Sequence, residues 1–526
     1  MPNRFLKLSV SMANSRVHKT VMNAKVGFVF YFVSIFLAFF SRRIFLECLG
    51  DEFIGLAGTL YSILNFLNIS EIGIGTCIAY FLYKPIEEQN REKICEIVSL
   101  FGYLYRIIGT VILTGAIAVS AFFPLIFADK GVPLSLTFFA FYAFLGSHLI
   151  AYFINYRQIL LDSDQKTYKI SIWTQTGGAI ATILQMALAY HYHNPYIWAA
   201  IQFLLSVFTC WVLNWVISRE YPWLKTDKSK GREILKKYPD ILVKAKQIVI
   251  HRLKNFFLSK SDEILIFAFE SLQMVAYYGN YVMIVGKLTG LFNQVLMGMN
   301  ASIGNLVAEG NKWNIRKVFW EYLTFRYWTT GCFIIALTFL VNPVISWWVG
   351  PKYVLADHIV FLILLNMYIM LTRPSVDLFI NAYGLYDDVW AAYAEGIINL
   401  AVTLLVGYFY GLVGILLGKI VSMLLLVVIW KPYFLYKQGF KESLAAYWAG
   451  VFRHYAILLA GLALCYALKR MLDWQTASTI ASILLSALCI VLPAILAYSL
   501  LLYMFTPGAK DLTRRIPVFR RNGRKA

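Results

Sequence analysis

Long apolar runs separated by short polar stretches fill the chain from residue 26 to residue 505. A helix needs about 20 apolar residues to cross roughly 30 Å of hydrocarbon, and fourteen runs are near that length. They cover residues 26–45, 54–82, 98–127, 134–156, 170–190, 194–217, 248–270, 274–305, 326–349, 356–382, 389–409, 411–436, 452–471 and 478–505. The runs are continuous, whereas the strands of a membrane barrel would alternate apolar and polar residues. The pattern therefore predicts an all-α polytopic membrane protein with about 14 transmembrane helices.

The composition points to the same class. Of the 526 residues, 60% are hydrophobic and only 14% are charged, and the mean hydropathy is +0.64. An average soluble domain carries about 25% charged residues. A soluble enzyme, a nucleic-acid-binding protein and a disordered chain are therefore poor starting classes, and no nucleic acid partner is expected.

Basic residues are distributed unevenly among the polar stretches. The net charge is +20, and 34 of the 48 Lys and Arg residues lie in the N-terminal segment and in every second loop after it. The intervening loops hold six. Loops rich in Lys and Arg stay on the cytoplasmic side, so this asymmetry predicts that both termini are cytoplasmic.

The topology divides the chain into six segments. They are a basic cytoplasmic N-terminus (1–25), an N-terminal six-helix lobe (26–217), a basic amphipathic cytoplasmic linker (218–247), a C-terminal six-helix lobe (248–436), two additional transmembrane helices (437–505) and a basic cytoplasmic tail (506–526). The lobes resemble each other, because Asp164 and Asp387 lie in similar inside turns at corresponding places in the two lobes. An offset of six helices predicts a parallel repeat, with a cleft between the lobes for alternating access. Chance similarity between apolar helices is the alternative.

Several charged residues fall within the apolar runs, where a charge is costly and usually faces a cavity or a partner. The basic ones are candidates to line a polar cavity for an anionic substrate, because Arg and Lys pair with phosphate oxygens. These candidates are Arg42, Arg43, Arg106, Lys287, Arg373 and Lys419. Structural pairing is the alternative. Arg373 and Asp377 are four residues apart and can neutralise each other, and Arg42 and Arg43 can reach the headgroups.

No motif of catalysis or of metal binding is recognised in the sequence. Walker A, GxSxG, HExxH and EF-hand patterns are missing, and the seven cysteines have neither zinc-like nor redox-like spacing. The outside loops are short, which argues against a polymerase or a glycosyltransferase. The protein is therefore expected not to be an enzyme and to need no cofactor or metal.

Seven stretches resemble, in order, the bacterial polysaccharide transporter family of the multidrug/oligosaccharidyl-lipid/polysaccharide exporter superfamily. They are ISEIGIGTCIAYFLYKPIEE (69–88), LLDSDQKTYKI (160–170), KSDEILIFAFESLQMVAYYGNYVMI (260–284), NASIGNLVAEGN (300–311), RPSVDLFINAYGLYDD (373–388), EGIINLAVTLL (395–405) and GLVGILLGKIVS (411–422). The resemblance implies two six-helix lobes followed by two extra helices. It also implies a flippase that moves an undecaprenyl-diphosphate-linked oligosaccharide for O-antigen (lipopolysaccharide), capsule or exopolysaccharide synthesis.

The resemblance further implies alternating access coupled to a proton or sodium gradient in the bacterial plasma membrane. Acidic candidates for ion coupling or gating are Glu71, Asp262, Glu263 and Asp377. The implied partners are the lipid-linked oligosaccharide, membrane lipids, and the polymerase and glycosyltransferases of the same pathway. An ion-coupled antiporter for drugs or metabolites, from the same superfamily, is the alternative function. Its site would favour acidic residues for organic cations.

Overall fold

The computed structural model describes residues 2–68, 73–128, 130–241, 262–296, 299–385, 387–472 and 479–515. These residues form α-helices with short 3-10 and π-helical turns, and none of them forms a β-strand. Ten helices in these ranges are long and apolar enough to cross a membrane. The predicted all-α polytopic membrane fold is confirmed, while the count of fourteen helices and the side of the termini stay predictions.

The chain divides into two compact units, Met1–Ala276 and Tyr277–Ala526. The described helices of the first unit are α1 (Pro2–Leu49), α2 (Asp51–Leu67), α3 (Ile74–Glu87), α4 (Arg91–Ser120), α5 (Phe123–Ile126), α6 (Leu134–Phe153), α7 (Ile159–Ser163), α8 (Thr167–Tyr192), α9 (Pro195–Glu220), α10 (Gly231–Lys237) and α11 (Asp262–Phe269). In its core α4 packs against α3, α6 and α10, and α8 packs against α1 and α9. Buried Phe101, Phe141 and Phe144 fill this core.

Helix α12 (Leu272–Leu296) begins at the end of the first unit and continues into the second. The other described helices of the second unit are α13 (Met299–Ala308), α14 (Lys312–Trp348), α15 (Asp357–Thr372), α16 (Pro374–Ala382), α17 (Val389–Tyr410), α18 (Leu412–Met423), α19 (Lys431–Phe434), α20 (Leu444–Met471), α21 (Ile480–Ser486), α22 (Leu492–Phe505) and α23 (Pro507–Arg515). Here α14 packs against α15 and α23, and α20 packs against α22.

Helix starts recur along the chain at nearly constant spacing. Helices α4 and α14 begin at Arg91 and Lys312, and α8 and α17 begin at Thr167 and Val389, so both pairs have almost the same offset. The first pair also shares its N-terminal cap, because Asn90 and Asn311 each accept a hydrogen bond from the backbone N–H three residues later. The spacing agrees with the repeat that the sequence predicts.

Large apolar side chains cover much of the outer surface of the spanning helices. Leu204 on α9, Leu405 on α17 and Leu459 on α20 are each more than 60% exposed. A soluble protein seldom leaves such extensive apolar faces in water, whereas lipid covers them without cost. The exposed faces therefore fit the membrane assignment.

Close helix packing in the second unit depends on two glycines of α18. A Cβ added at Gly414 would collide with the backbone of Val406 and Gly407 in α17. A Cβ at Gly418 would collide with the hydroxyl of Thr403, one turn earlier in α17. Two small residues four positions apart let helix backbones approach closely in a membrane, where van der Waals packing drives association.

Three details differ from the hydropathy pattern. The predicted span 54–82 contains two helices, because α2 ends at Leu67 and α3 begins at Ile74 after Gly73, whose φ is +99°. The N-terminal segment 1–25 and the first span belong to one helix, α1. The pattern places residues 262–269 in the second lobe, whereas α11 packs against α2 and belongs to the first unit.

Candidate functional site

A cavity of about 440 Å³ lies against one face of α4 in the first unit. The α4 residues of its wall follow one another at spacings of three and four, which places them on a single side of a helix. The wall consists of Tyr103, Arg106, Ile107, Thr110, Val111 and Thr114 from α4, with Lys228 and Ser229 from the segment after α9. We call it the Arg106–Lys228 pocket, and it is the cavity to which a predicted substrate residue, Arg106, contributes.

The segment that carries Lys228 is tied to the body of the first unit. The Asp227 backbone N–H donates to Ser99 Oγ on α4 at 2.9 Å, and the Asp227 side chain accepts from the Ser229 N–H at 2.9 Å. Lys228 Nζ donates to the Phe153 carbonyl oxygen at 2.7 Å and lies 4.3 Å from the centre of the Tyr156 ring. These bonds hold a linker residue at the pocket.

The pocket brings two positive charges together. Burial, followed by the nearby positive charge of Arg106, lowers the pKa of Lys228 below its usual value. None of the wall residues in the described part of the chain is acidic, and the neighbouring Asp227 bonds to Ser229. An anion in the pocket would relieve the repulsion, with a guanidinium and an ammonium as donors. The hydroxyls of Thr110 and Thr114 already donate to the carbonyl oxygens of Arg106 and Thr110.

A second group of charges lies within the second unit and is electrically neutral. Arg373 Nε donates to Asp377 Oδ2 at 2.8 Å, and its Nη1 donates to Glu395 Oε1 at 2.8 Å. Lys431 Nζ lies 2.8 Å from Asp377 Oδ1. We call these four residues the Arg373 cluster. The predicted neutralisation of Arg373 by Asp377 is confirmed, and Glu395 and Lys431 extend it.

Local chain geometry explains where the Arg373 cluster forms. Pro374 has no N–H, so it interrupts the hydrogen-bond ladder between α15 and α16 and leaves Arg373 at the junction. Arg326 of α14 supports this junction, because its Nη1 donates to the Leu371 carbonyl oxygen at 2.9 Å. Arg326 is buried, and its Nε donates to the Tyr322 hydroxyl at 2.7 Å.

The remaining basic candidates are spread over other helices. Arg42 Nη2 donates to the Ala276 carbonyl oxygen at 2.8 Å, whereas the exposed Arg43 pairs with Glu47 at 2.8 Å on α1. Lys287 is half-buried on α12, and Lys419 is half-buried on α18. The structure therefore does not gather the six candidates at one site within either unit.

The acidic candidates also separate. Glu263 on α11 accepts a hydrogen bond from the Ser62 hydroxyl of α2, and the half-buried Asp262 precedes it at the start of α11. Asp377 belongs to the Arg373 cluster. Glu71 lies outside the described residues. Glu263 is thus a carboxylate held by a hydroxyl within the first unit.

The turn at 160–170, which the sequence predicts to lie inside, is the centre of an ion network. Asp164 accepts from Lys19 Nζ of α1 at 2.9 Å and from the Tyr221 hydroxyl at 2.8 Å, and Lys166 Nζ lies 2.7 Å from it. Burial alone would raise the pKa of Asp164, but the bonds from Lys166, Lys19 and Tyr221 outweigh it and hold that pKa below its usual value. The network joins α1 to the ends of α7 and α9.

Sequence reasoning missed three of the residues that matter here. The sequence assigns all three to predicted inside loops, as further basic residues: Lys228, Arg326 and Lys431. The structure places Lys228 at the Arg106–Lys228 pocket, Arg326 within α14 and Lys431 in the Arg373 cluster. A signal for Arg326 was available, because the polar residues before the ninth apolar run continue its helical pattern back to the Asn311 cap.

Comparisons with known proteins reveal the fold. A scan against protein-family models and a search of curated proteins found no match. Among solved structures, the chain is similar to the lipid II flippase MurJ in an inward closed conformation, with a TM-score of 0.63 and 16% identity over 92% of this chain and 99% of that one. It is also similar to an inward-facing multidrug resistance MATE family transporter of the MOP superfamily, with a TM-score of 0.54 and 14% identity over 77% of this chain and 94% of that one. The chain has the fold of these transporters.

Proposed function

We propose that this protein is a flippase that moves a lipid-linked oligosaccharide with a diphosphate headgroup across the bacterial plasma membrane, for surface polysaccharide synthesis. The Arg106–Lys228 pocket is the observation that carries the proposal. Two cations, Arg106 and Lys228, share its wall with no acidic side chain from the described residues. This set of donors suits phosphate oxygens better than an organic cation.

The physical task of such a protein is to shield polar groups. A sugar–diphosphate headgroup that entered bare hydrocarbon would lose its hydrogen bonds to water, at a cost of several kcal/mol for each polar group. Donors fixed in a protein replace those bonds, while the prenyl chain stays in the lipid. The fold shared with MurJ, a lipid II flippase, supports this reading. In the proposal the protein uses alternating access and catalyses no bond-forming step.

The proposal assigns distinct roles to the charged groups. Arg106 and Lys228 of the first unit bind the headgroup in this proposal. Arg42, Lys287 and Lys419 stay candidates from the sequence, without an assigned contact. Glu71, Asp262, Glu263 and Asp377 are candidates for coupling to a proton or sodium gradient. Within that set, Glu263 accepts a hydrogen bond from the neutral Ser62 hydroxyl, whereas Asp377 is already paired with Arg373 and Lys431. The polymerase and glycosyltransferases of the same pathway are the proposed partners.

An ion-coupled antiporter for drugs or metabolites is the second candidate. The fold shared with a multidrug resistance transporter and the carboxylate of Glu263 favour it. A cationic drug would bind at a carboxylate, so its affinity would depend on Glu263 and be indifferent to Arg106. A lipid diphosphate would show the reverse dependence. The two candidates therefore differ in which single substitution removes binding.

A binding experiment separates them. Purified protein in detergent is titrated with a fluorescent undecaprenyl-diphosphate oligosaccharide and, separately, with a fluorescent organic cation. We expect Arg106→Gln to weaken lipid diphosphate binding about tenfold, a loss of about 1.4 kcal/mol for one charged hydrogen-bond donor. Lys230→Gln, two residues from Lys228 and exposed, is the matched control and should leave binding unchanged. Binding of the cation that depends on Glu263, without binding of the diphosphate, would favour the antiporter.

A further inference from the structure

A second cavity, of about 480 Å³, lies in the second unit, away from the residues assigned above. Three elements that are far apart in sequence form it, namely the start of α14, the start of α20 and the tail helix α23. Its wall includes Trp313, Arg316, Lys317, Trp320, Arg453 and Asp511. We call it the Trp320 pocket. It exists only because the additional C-terminal helices pack against α14.

Two glycines shape the Trp320 pocket. A Cβ at Gly450 of α20 would collide with the indole ring of Trp320, and a Cβ at Gly508 of α23 would lie 2.5 Å from the Trp320 carbonyl oxygen. The indole therefore lies directly on α20 while α23 packs on the backbone of α14. Arg515 Nη2, 2.8 Å from Glu321 Oε2, fastens the end of α23 to α14. Close packing among α14, α20 and α23 therefore fixes the shape of the pocket.

The charges of this wall are unbalanced. Arg316 pairs with Glu442 at 2.7 Å, and Lys317 has a long pair with Asp511 at 3.6 Å while lying 5.2 Å from the centre of the Trp313 ring. Arg453 is exposed and contacts no carboxylate in the described part of the chain. Arg316 and Lys317 are therefore each paired with a carboxylate, and Arg453 supplies the unbalanced positive charge of the wall.

The position of the pocket indicates which anion it would meet. Residues 305–327, 431–443 and 506–526 are all predicted inside segments, and the pocket joins elements next to each of them. Tryptophan and basic residues together are typical of the membrane interface, and basic pockets between helices on the cytoplasmic side bind anionic headgroups. Trp313 is 70% exposed at this site.

We propose that the Trp320 pocket binds the phosphate-bearing headgroup of an anionic phospholipid of the inner leaflet. Arg453 supplies the uncompensated charge, and Lys317 can turn from its long pair with Asp511 to a phosphate oxygen. Trp313 and Trp320 contact the glycerol region. This lipid site is separate from the transported substrate of the proposed function, since it belongs to the second unit and uses none of the Arg106–Lys228 pocket residues.

The test uses the full chain, purified in detergent, with phosphatidylglycerol as the probe and native mass spectrometry as the measure of binding. Phosphatidylcholine and inorganic phosphate are separate arms of the titration. One basic residue near a headgroup contributes about 1 kcal/mol, so Arg453→Gln should weaken phosphatidylglycerol binding about fivefold. Arg470→Gln is the matched control, because it removes the same exposed charge from the other end of α20. Arg453→Lys should retain most of the binding.

Equal phosphatidylglycerol affinity in the Arg453→Gln and Arg470→Gln variants would overturn the site. Phosphatidylcholine binding as tight as that of phosphatidylglycerol would overturn the role of charge. If inorganic phosphate displaced the lipid, the pocket would be a site for a free anion and the lipid assignment would be wrong. Should Arg453→Gln fail to fold, Lys317→Gln provides the same comparison, with weaker binding supporting the site and unchanged binding overturning it.

Discussion

Neutralising Glu395 or Arg373 is expected to reveal a strongly coupled pair within the second unit. The Glu395 side chain is 1% exposed, and its two carboxylate oxygens accept from Arg373 at 2.8 and 3.4 Å. Charges about 4 Å apart attract by roughly 4 kcal/mol at an effective dielectric constant of about 20. Removing one partner of a buried pair typically costs about 3–5 kcal/mol, because the other charge is left uncompensated.

The charge balance of the Arg373 cluster predicts how the variants combine. Glu395→Gln removes one of the two carboxylates that accept from Arg373, and Arg373→Gln removes the guanidinium that Asp377 and Glu395 share. The double variant keeps the neutral pair of Lys431 and Asp377. We therefore expect each single variant to lose about 3 kcal/mol of unfolding free energy. The double variant should lose about as much as one single variant, giving a coupling energy of about 3 kcal/mol.

The measurement is equilibrium unfolding of the purified protein in mixed micelles, titrated with dodecyl sulfate and followed by tryptophan fluorescence. Arg43 and Glu47 provide the control cycle, because they form an ion pair of the same 2.8 Å length on α1 but are 53% and 54% exposed. An exposed pair four residues apart should couple by only about 0.3–0.5 kcal/mol. Additive losses in the Arg373–Glu395 cycle, within about 0.5 kcal/mol, would refute the argument that burial makes this pair strong.

Three further predictions follow from single contacts. Asp164→Asn should lower the free energy of unfolding at neutral pH, because a carboxylate with a lowered native pKa stabilises the fold only while it is ionised. The gap in unfolding free energy between the variant and the unchanged protein should narrow as pH falls below about 4, as unfolding titrations at several pH values would show. Anion binding at the Arg106–Lys228 pocket should weaken as pH rises through the lowered pKa of Lys228. Because the charge of Arg106 contributes to that lowering, Arg106→Gln should move the midpoint of the binding–pH profile upward. An unmoved midpoint would contradict the shared pocket. Gly418→Ala should cost about 1–3 kcal/mol through its collision with α17, whereas Gly396→Ala, with open space at its Cβ, should be tolerated in the same unfolding assay.

The helices could be predicted from the sequence because they depend on local patterns. The apolar runs are visible along the chain, and the parallel repeat stays a prediction with which the nearly constant spacing of helix starts agrees. The pairing of Arg373 with Asp377 was likewise predictable, since a four-residue spacing on a helix brings side chains together.

The sites were harder to predict because they depend on tertiary contacts between segments that are far apart in the sequence. Lys228 looks like one more loop lysine in the sequence. Its segment reaches α4 through tertiary contacts, such as the bond from the Asp227 N–H to Ser99 and the ion pair of Lys237 with Glu96. Lys431 reaches Asp377 from the end of another helix. No spacing rule connects such positions, because several other helices separate them along the chain. Loop charges that set topology and loop charges that line a pocket therefore look alike in a sequence.

Translocation in reconstituted vesicles tests the central claim most directly. Proteoliposomes carry a trace of fluorescent undecaprenyl-diphosphate oligosaccharide, and dithionite bleaches only the outer leaflet. The account predicts that the protein exposes the protected fraction to dithionite. It also predicts that Arg106→Gln and Lys228→Gln slow this exposure while Lys230→Gln does not. Bleaching no faster than in protein-free vesicles, or equal rates for a lipid-linked oligosaccharide without the diphosphate, would contradict it.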